Sequence, residues 1–491
     1  MSARDAPGPG GPIAPTPPSD AAGSAGNRGL RRRAPSVLAP VTYLALALAA
    51  LWPGLFTGHD TIVGNAGDPS LSIWALQWMP FALGHHLNPL FTDYLHYPGG
   101  VNLMWNSSIL FPSLVLAPIT LLAGPIVAYN VLTVVSMSLS GWVAFLAVRR
   151  YTRRFLSAAV GGLLYEFSPF MYPLYLLLLG PQRPSGALQG YGFVARPTSF
   201  VIPTDLQLFS GPSAVFDSSV YIGVPLLILA VVVAIRMRRR PAVLAAAITL
   251  LCAMVLALGG RLTLHGAATR IPLPWLIPEH LPIIGSLLPV RLMVAGYLAL
   301  AVIVAIFVER VLEEPIGRRA GGLAIVAVAL VPLIPTLPIA SAQLTIPAFF
   351  TDGAAQRLPS TGSVLMTPYG KFFPDYPPEL WEAVSGMAFK SQLGIVYTPG
   401  PGGHLVGPEM DPLGQELNAV GDLGTPAPAT LSAGVRATYL ADMRAQDVTT
   451  VIVGPSEGAA QVTRLMTELL GRPGISTGGV TVWYGVGALT G

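Results

Sequence analysis

The stretch NAGDPSLSIWALQW, residues 65–78, places a carboxylate beside aromatic side chains shortly after a long apolar run. Asp68 in this stretch can take a proton from a substrate hydroxyl as a general base. It can equally cap a helix, because Pro69 follows it and proline is favoured at the first helical position. The two roles do not exclude each other, so Asp68 is the first candidate for a catalytic residue.

The loop 57–125 around this stretch contains no lysine or arginine and holds most of the other candidates. Asp60 is the second candidate for a catalytic acid or base, although it and Asp93 are more typical of ordinary loop acids. Trp74 and His96 are candidates for substrate binding, but aromatic rings also settle at a membrane interface. The remaining histidines and aromatic residues singled out in this loop are His59, His85, His86, Trp78, Tyr94, Tyr97 and Trp105.

Four charged residues near apolar segments are further candidates for substrate binding. Glu166 lies near the middle of a long apolar segment, where a carboxylate is costly and faces a cavity or the bundle interior. A neutral, hydrogen-bonded Glu166 beside Pro169 is the alternative. Arg291 sits at the outer end of the sixth apolar segment, 287–308, where it can snorkel to the interface or bind a phosphate through its planar fork. Arg196 and Arg270 are alternatives for the same phosphate-binding role.

The composition indicates a polytopic membrane protein. Of the 491 residues, 52% are hydrophobic and only 11% are charged, with a mean hydropathy of +0.60. A soluble protein carries about 25% charged residues, and long apolar runs with so little charge are typical of a membrane bundle.

Cysteine and histidine spacing gives little support for a metal site. Cys252 is the single cysteine, which excludes a disulfide framework and a cysteine metal site. The adjacent residues His85 and His86 lack the i, i+4 spacing that puts two ligands on one helix face. The chain also has no P-loop, no GxGxxG at a strand–helix junction and no HExxH motif.

Seven apolar segments are long enough to cross a bilayer, and their flanks predict an orientation. Arginine clusters at 28–33, 149–154, 236–240 and 310–319 fall in alternate loops, so the positive-inside rule places the N-terminus in the cytosol and the C-terminus outside. The segments are 36–56, 126–148, 155–178, 219–235, 241–258, 287–308 and 320–338.

The predicted fold is therefore mainly α, a helical bundle of about seven transmembrane spans with a small C-terminal extracytoplasmic α/β domain. Residues 1–35 are rich in Pro, Gly, Ala and Ser and predict a disordered cytosolic tail. Residues 36–340 form the transmembrane domain, whose first segment is better interpreted as an uncleaved anchor than as a signal peptide. The run 109–123 predicts a re-entrant or interfacial helix on the outer face. The α/β domain, residues 341–491, has predicted strands at 363–370, 449–455 and 480–486 and predicted helices at 431–446 and 457–471.

Several motifs follow one another in an order that resembles bacterial GT-C-type polytopic glycosyltransferases, within the group that has an acidic first outer loop and a C-terminal extracytoplasmic domain. The resemblance covers most of residues 36–340. It is carried by GDPSLSIWALQW, HHLNPLFTDYLHYPGGVNLMW, LAPITLLAGPIVAYNVLTVVSMSLSGWVAFLAVRRYTRR, GGLLYEFSPF, RPTSFVIPTDLQLFSG, SSVYIGVPLLIL and IPLPWLIPEHLPIIGSLLPVRLMVAGYLAL.

This resemblance implies a GT-C-like bundle with juxtamembrane helices in the first outer loop. It implies transfer of a sugar from a polyprenyl-phosphate donor to a cell-envelope glycan, lipid or protein at the outer face of a bacterial plasma membrane. The first-loop carboxylate of the family maps onto Asp68, with Asp60 second, and Arg291 would lie near the lipid phosphate. No cofactor is required by the motifs, and a divalent metal, Mg²⁺ or Mn²⁺, is left open. No nucleic-acid partner is expected.

Two other classes of function stay open. The stretch between FSPF and RPTSF is shorter than in the family, and Glu166 stands where family members have a small apolar residue. Both differences favour a catalytically degenerate scaffold or glycan-binding membrane protein as the second hypothesis. A transporter of lipid or solute is the third, because charged or broken helices occur in such proteins.

Overall fold

A computed structural model of the chain describes residues 38–52, 54–55, 58, 60–64, 69–106, 109–169, 171, 194–203, 220–264, 267–281, 284, 287–337, 339, 341–369, 377–394, 396, 398–399, 405–406 and 410–490. The described residues are mainly helical. The predicted tail, Asp68, His59 and residues 172–178 of the third predicted segment lie outside them.

The first part of the described chain is built from apolar helices that coincide with the predicted segments. Three of them are long and apolar enough to cross a membrane, Pro125–Val148, Pro289–Glu313 and Ile316–Leu333, each counted with any adjoining 3₁₀ turn. The count of seven spans stays a prediction, because the other apolar helices of the described chain are shorter. The α-helices are α1 (Leu38–Trp52), α2 (Pro69–Gly84), α3 (Leu110–Ala123), α4 (Pro125–Val148), α5 (Phe155–Glu166), α6 (Val224–Arg236), α7 (Pro241–Ala257), α8 (Met293–Glu313) and α9 (Ile316–Leu330).

Contacts between helix ends bring the arginine clusters of the described chain to one end of this bundle. The backbone N–H groups of Arg153 and Arg154, just before α5, donate to the carboxylate of Glu309 near the end of α8, at 3.2 and 3.1 Å. Arg236 at the end of α6 lies near Arg310 of α8, since both line one groove on the side of the bundle. Helix α9 starts directly after α8, so its first-turn arginines lie at this end as well.

A small sheet and a buried asparagine close the opposite end of the bundle. Strand β1 (Thr61–Val63) follows α1 along the chain and pairs antiparallel with a strand that follows α9, which joins the start and the end of the helical region. Near the start of α4, the buried Asn130 side chain accepts from Val63 N–H and donates to the Thr61 carbonyl, both at 2.9 Å. The other strands here are β2 (Phe91–Thr92), β3 (Val101–Asn102), β4 (Arg261–Leu264), β5 (Ala267–Pro272) and β6 (Ser341–Gln343), the partner of β1.

The C-terminal part contains a mixed four-stranded sheet. Its strand order is β11–β12–β10–β7, with β7 and β10 parallel and the other neighbours antiparallel. The strands and helices predicted in this part are confirmed within a few residues at each end. The elements are α10 (Ala348–Thr351), β7 (Ser363–Thr367), α11 (Pro377–Val384), β8 (Thr398–Pro399), β9 (Leu405–Val406), α12 (Pro412–Gly421), α13 (Ala433–Ala445), β10 (Val448–Val453), α14 (Ala459–Leu470), β11 (Ile475–Thr477), β12 (Val480–Tyr484) and α15 (Gly487–Thr490).

One hydrophobic core is shared between the loop 57–125 and the C-terminal part. Trp74 and Trp78 on α2 stack with ring centroids 5.4 Å apart, and they belong to the same buried cluster as Phe350 and Trp381. Phe350 and Trp381 stack in turn at 4.9 Å. Burying large aromatic rings supplies most of the stabilisation at such a contact, so α2 and the C-terminal sheet form one packed unit.

We expect the substitution Asn130→Leu to destabilise the protein by about 1–3 kcal/mol, because it leaves a buried N–H and a buried carbonyl of β1 unpaired. Thermal unfolding of the purified protein in detergent measures this change. Thr133→Val is the matched control, since among the described residues the Thr133 hydroxyl donates to the Tyr129 carbonyl of its own helix and to no other group. An equal loss in both variants would contradict the proposed role of Asn130.

Candidate functional site

The loop 57–125 and the C-terminal sheet are joined by backbone hydrogen bonds. Tyr97 N–H donates to the Ser391 carbonyl at 3.1 Å, and Ser391 N–H donates to the Tyr94 carbonyl at 2.8 Å. On its other side this segment is paired with β7, since Val364 N–H donates to the Lys390 carbonyl at 2.8 Å. Residues 390–391 therefore extend the sheet to the loop that carries Asp93 and His96.

An ion pair ringed by tyrosines lies at this junction. The Lys390 ammonium is 2.5 Å from a carboxylate oxygen of Asp93. The same nitrogen lies 5.5 Å from the ring centroid of Tyr94 and 5.2 Å from that of Tyr97. The side chains of Asp93 and Lys390 are 42% and 25% exposed, so a molecule from solution can reach both.

A second acid, Glu382 on α11, lies behind this pair and is fully buried. Burial raises the pKa of Glu382 well above its ordinary value, and the nearby carboxylates of Glu379 and Asp93 raise it further. The nearby Trp74 indole N–H lowers this pKa by a smaller amount, although it makes no hydrogen bond among the described residues. The raised pKa of Glu382 favours the neutral carboxylic acid at this buried position.

The junction offers three kinds of chemistry in one place. Asp93 supplies a carboxylate, Lys390 an ammonium, and the tyrosine rings supply apolar faces with hydroxyl edges. The hydroxyl of Tyr97 points to the Asp447 carboxylate at 3.4 Å, so the site includes a group from the end of α13. A few placed polar groups among aromatic rings are typical of a ligand site.

The two predicted catalytic acids are found in different situations. Asp68 lies outside the described residues, directly before Pro69, which is buried at the start of α2. Asp60 is half-buried and accepts hydrogen bonds from the Gln343 side-chain amide at 3.2 Å and from the Thr61 hydroxyl at 3.3 Å. These bonds fix Asp60 to the β1–β6 sheet, which gives it a structural role.

Two other predicted residues of the first loop are found at the junction. Trp74 is 0% exposed, and this burial argues against the predicted contact between its ring and a substrate. His96 has a left-handed backbone with φ 56°, and its N–H donates to the Leu393 carbonyl at 3.3 Å. Burial lowers the pKa of the His96 imidazole. His96 thus lies in the hydrogen-bonded joint beside the ion pair.

Glu166 is the last residue of α5. Its predicted place near the middle of the segment 155–178 stays a prediction, because residues 172–178 lie outside the described residues. Its side chain is 0% exposed, and both carboxylate oxygens lack a hydrogen-bond partner among the described residues. A side chain added at Gly141 would lie 2.7 Å from a Glu166 oxygen and from the Tyr43 ring, so glycine is needed for this close packing.

The predicted phosphate-binding arginines lie at the end of the bundle opposite the arginine clusters. Arg291 is exposed in the 3₁₀ turn Pro289–Leu292, which leads into α8. Arg196 follows Ala195, whose N–H donates to the Ala257 carbonyl at the end of α7 at 2.8 Å. Arg270 is exposed on β5. The described chain therefore brings these arginines to the end of the bundle that also carries β1 and β6.

The described residues contain no group of three or more His, Cys, Asp or Glu side chains that could hold a metal ion. His85 Nδ1 lies 2.8 Å from the Phe81 carbonyl, to which its N–H donates, and His85 is exposed just after the end of α2.

Sequence reasoning missed Lys390, Glu379 and Glu382. Signals for them existed: Lys390 is one of two lysines in the chain, and the two glutamates have the i, i+3 spacing that puts both on one helix face. Their partners are about 300 residues away in the sequence, and Lys390 follows Asp93 by 297 positions. No local pattern gives such a pairing.

We expect the raised pKa of Glu382 to make stability fall as pH rises above about 4.5. In that window the folded protein keeps a proton that the unfolded chain has released, at a cost of about 1.4 kcal/mol per pH unit. Glu382→Gln removes this titration, so its melting temperature should depend less on pH than that of the wild type. The exposed Glu457→Gln is the control, and equal slopes in Glu382→Gln and wild type would contradict the assignment.

A double-mutant cycle on Asp93→Asn and Lys390→Met should give a coupling energy of about 0.5–1.5 kcal/mol, because this pair is partly shielded from water. Unfolding midpoints of the four proteins measure it. The comparison pair is Arg310 and Glu313, 3.0 Å apart with side chains 56% and 46% exposed. Its coupling should stay below about 0.5 kcal/mol; equal couplings would show that the junction gives no special environment.

Comparison with known proteins assigns this chain to no family. No family model, no curated protein and no solved structure matches it. The resemblance to GT-C-type glycosyltransferases stays a prediction, and a function has to be argued from the residues themselves.

Proposed function

We propose that this protein is a membrane glycosyltransferase that moves a sugar from a polyprenyl-phosphate carrier to a cell-envelope acceptor. The reaction takes place at the end of the bundle opposite the arginine clusters, which is the outer end under the positive-inside rule. The N-terminus is cytosolic and the C-terminal part extracytoplasmic, in the plasma membrane of a bacterium.

The observation that carries this proposal is the junction around Lys390. It joins a carboxylate, an ammonium and two tyrosine rings from the first outer loop and the C-terminal sheet. Hydroxyl groups of a sugar can bond to Asp93 and Lys390 while its apolar face lies against Tyr94 or Tyr97. An acceptor glycan held here would lie beside the helices that contact the lipid of the donor.

The chemical step is a displacement at the anomeric carbon. Asp68 takes the proton of the acceptor hydroxyl, and that oxygen forms the new bond to the anomeric carbon. The bond from this carbon to the phosphate oxygen breaks, and polyprenyl phosphate leaves with its electron pair. Arg291 stabilises the departing phosphate, since preorganised charge beside a developing anion is a large source of rate. A positioned base contributes about 10²–10⁴-fold.

Asp68→Asn tests this function, because the amide keeps capping capacity at the start of α2 and loses the base. We expect transfer of radiolabelled sugar from polyprenyl phosphate to cell-envelope acceptors to fall by about 10²-fold or more in protein reconstituted in lipid. Asp352→Asn is the matched control, since Asp352 is an exposed acid at the end of α10. Full transfer by Asp68→Asn would assign the base to another residue.

A glycan-binding scaffold is the second candidate, and the burial of Trp74 and Trp78 in the shared core favours it. These aromatic residues act there as packing that holds the C-terminal part on the bundle. A scaffold retains labelled envelope glycan without consuming any lipid-linked donor. Retention that is lost in Lys390→Met, together with zero turnover of every donor by wild type, would replace the transferase with the scaffold.

A further inference from the structure

A groove runs along the side of the bundle between α6, α8 and α9, with a volume of about 850 Å³. Its walls are almost entirely apolar. Ile228 and Val232 form one wall, and Phe307 and Val328 contribute to the other. Three of these side chains are exposed on the bundle surface: Ile228 by 57%, Val232 by 41% and Val328 by 63%. Such a surface is suited to hydrocarbon.

The length of this groove matches one leaflet of a bilayer. Its wall on α6 extends from Pro225 to Arg236 and Met237. With a rise of 1.5 Å per residue, the distance from Pro225 to Arg236 is about 16 Å. The hydrocarbon of one leaflet is about 15 Å thick, half of the bilayer core. An acyl chain that enters at the arginine end can therefore lie along the whole groove.

Positive charge is found at one end of the groove. Arg236 and Arg310 both line it there. Arg310 forms an ion pair with Glu313, in which a guanidinium nitrogen lies 3.0 Å from a carboxylate oxygen. No hydrogen bond or ion pair engages the exposed Arg236 side chain within the described part of the chain. Further arginines, Arg238 and Arg239, follow in the next turn without lining the groove.

We propose that this groove binds one anionic phospholipid of the membrane, with an acyl chain between the helices and the headgroup phosphate on Arg236 and Arg310. Arginine suits this phosphate because its planar fork donates two parallel hydrogen bonds. Basic pockets between helices at the cytosolic side are typical sites for anionic headgroups. The proposal does not rest on the transferase, since the groove opens at the other end of the bundle.

Native mass spectrometry of the full-length protein in detergent tests the site with phosphatidylglycerol and, for comparison, zwitterionic phosphatidylcholine. We expect wild type to retain phosphatidylglycerol about tenfold more tightly than phosphatidylcholine, and Arg236→Gln with Arg310→Gln to abolish this preference. The matched control is Arg238→Gln with Arg239→Gln, which removes the same charge beside the groove and should keep most of the preference. Equal losses in the two double variants would overturn the site.

A second variant tests the apolar part of the groove without touching the charges. Val328→Trp fills the groove from an exposed position, and it should lower phosphatidylglycerol retention about as much as the arginine changes do. Undiminished retention in this variant would overturn the proposal. Displacement of phosphatidylglycerol by equimolar polyprenyl phosphate, or a dimer lost in Val328→Trp, would assign the groove to another occupant and would also overturn it.

Discussion

The structure depends on how the backbone of residues 390–393 is paired. Ser391 is fully buried, so its N–H and carbonyl groups need partners. They find them in the loop 57–125 at Tyr94 and Tyr97, while the neighbouring Lys390 carbonyl is bonded by β7. This double pairing makes the C-terminal sheet and this loop a single hydrogen-bonded structure. The same two parts also share the aromatic core and the Asp93–Lys390 ion pair.

The contact between the loop and the C-terminal part also encloses the carboxyl group of Glu382. A carboxyl group in a core of aromatic rings is unfavourable unless it is neutral or paired. The raised pKa of Glu382 favours its neutral form, and the Trp74 indole lies nearby. The half-exposed Asp93 stays beside Lys390, where an ionised carboxylate is compensated. Two acids on neighbouring elements therefore play different parts, a neutral group inside the core and a charged group at its edge.

The sequence predicts the helices and strands of this fold much better than the contacts between them. β-Branched runs gave the strands at 363–367, 448–453 and 480–484, and apolar runs gave the positions of the bundle helices, because both signals are local. Asp93 and Lys390 are 297 positions apart in the sequence, and their pairing has no local signal. The residue type of Trp74 also did not predict its environment. Tryptophan is typical of a membrane interface, whereas the core shared with the C-terminal part buries Trp74 completely.

The burial and the internal bonds of each acid decide whether a substrate can contact it. Glu166 is enclosed by α1, α4 and α5, where Gly141 leaves room for it and for the Tyr43 ring. Glu382 is enclosed by α2 and α11, and Asp60 is tied to Gln343 in the β1–β6 sheet. Each of these groups is committed to packing or to an internal bond. Asp93 has nearly half of its side chain open to solvent and a cation beside it. A ligand that binds at the junction can therefore contact Asp93, whether the protein transfers a sugar or only holds a glycan.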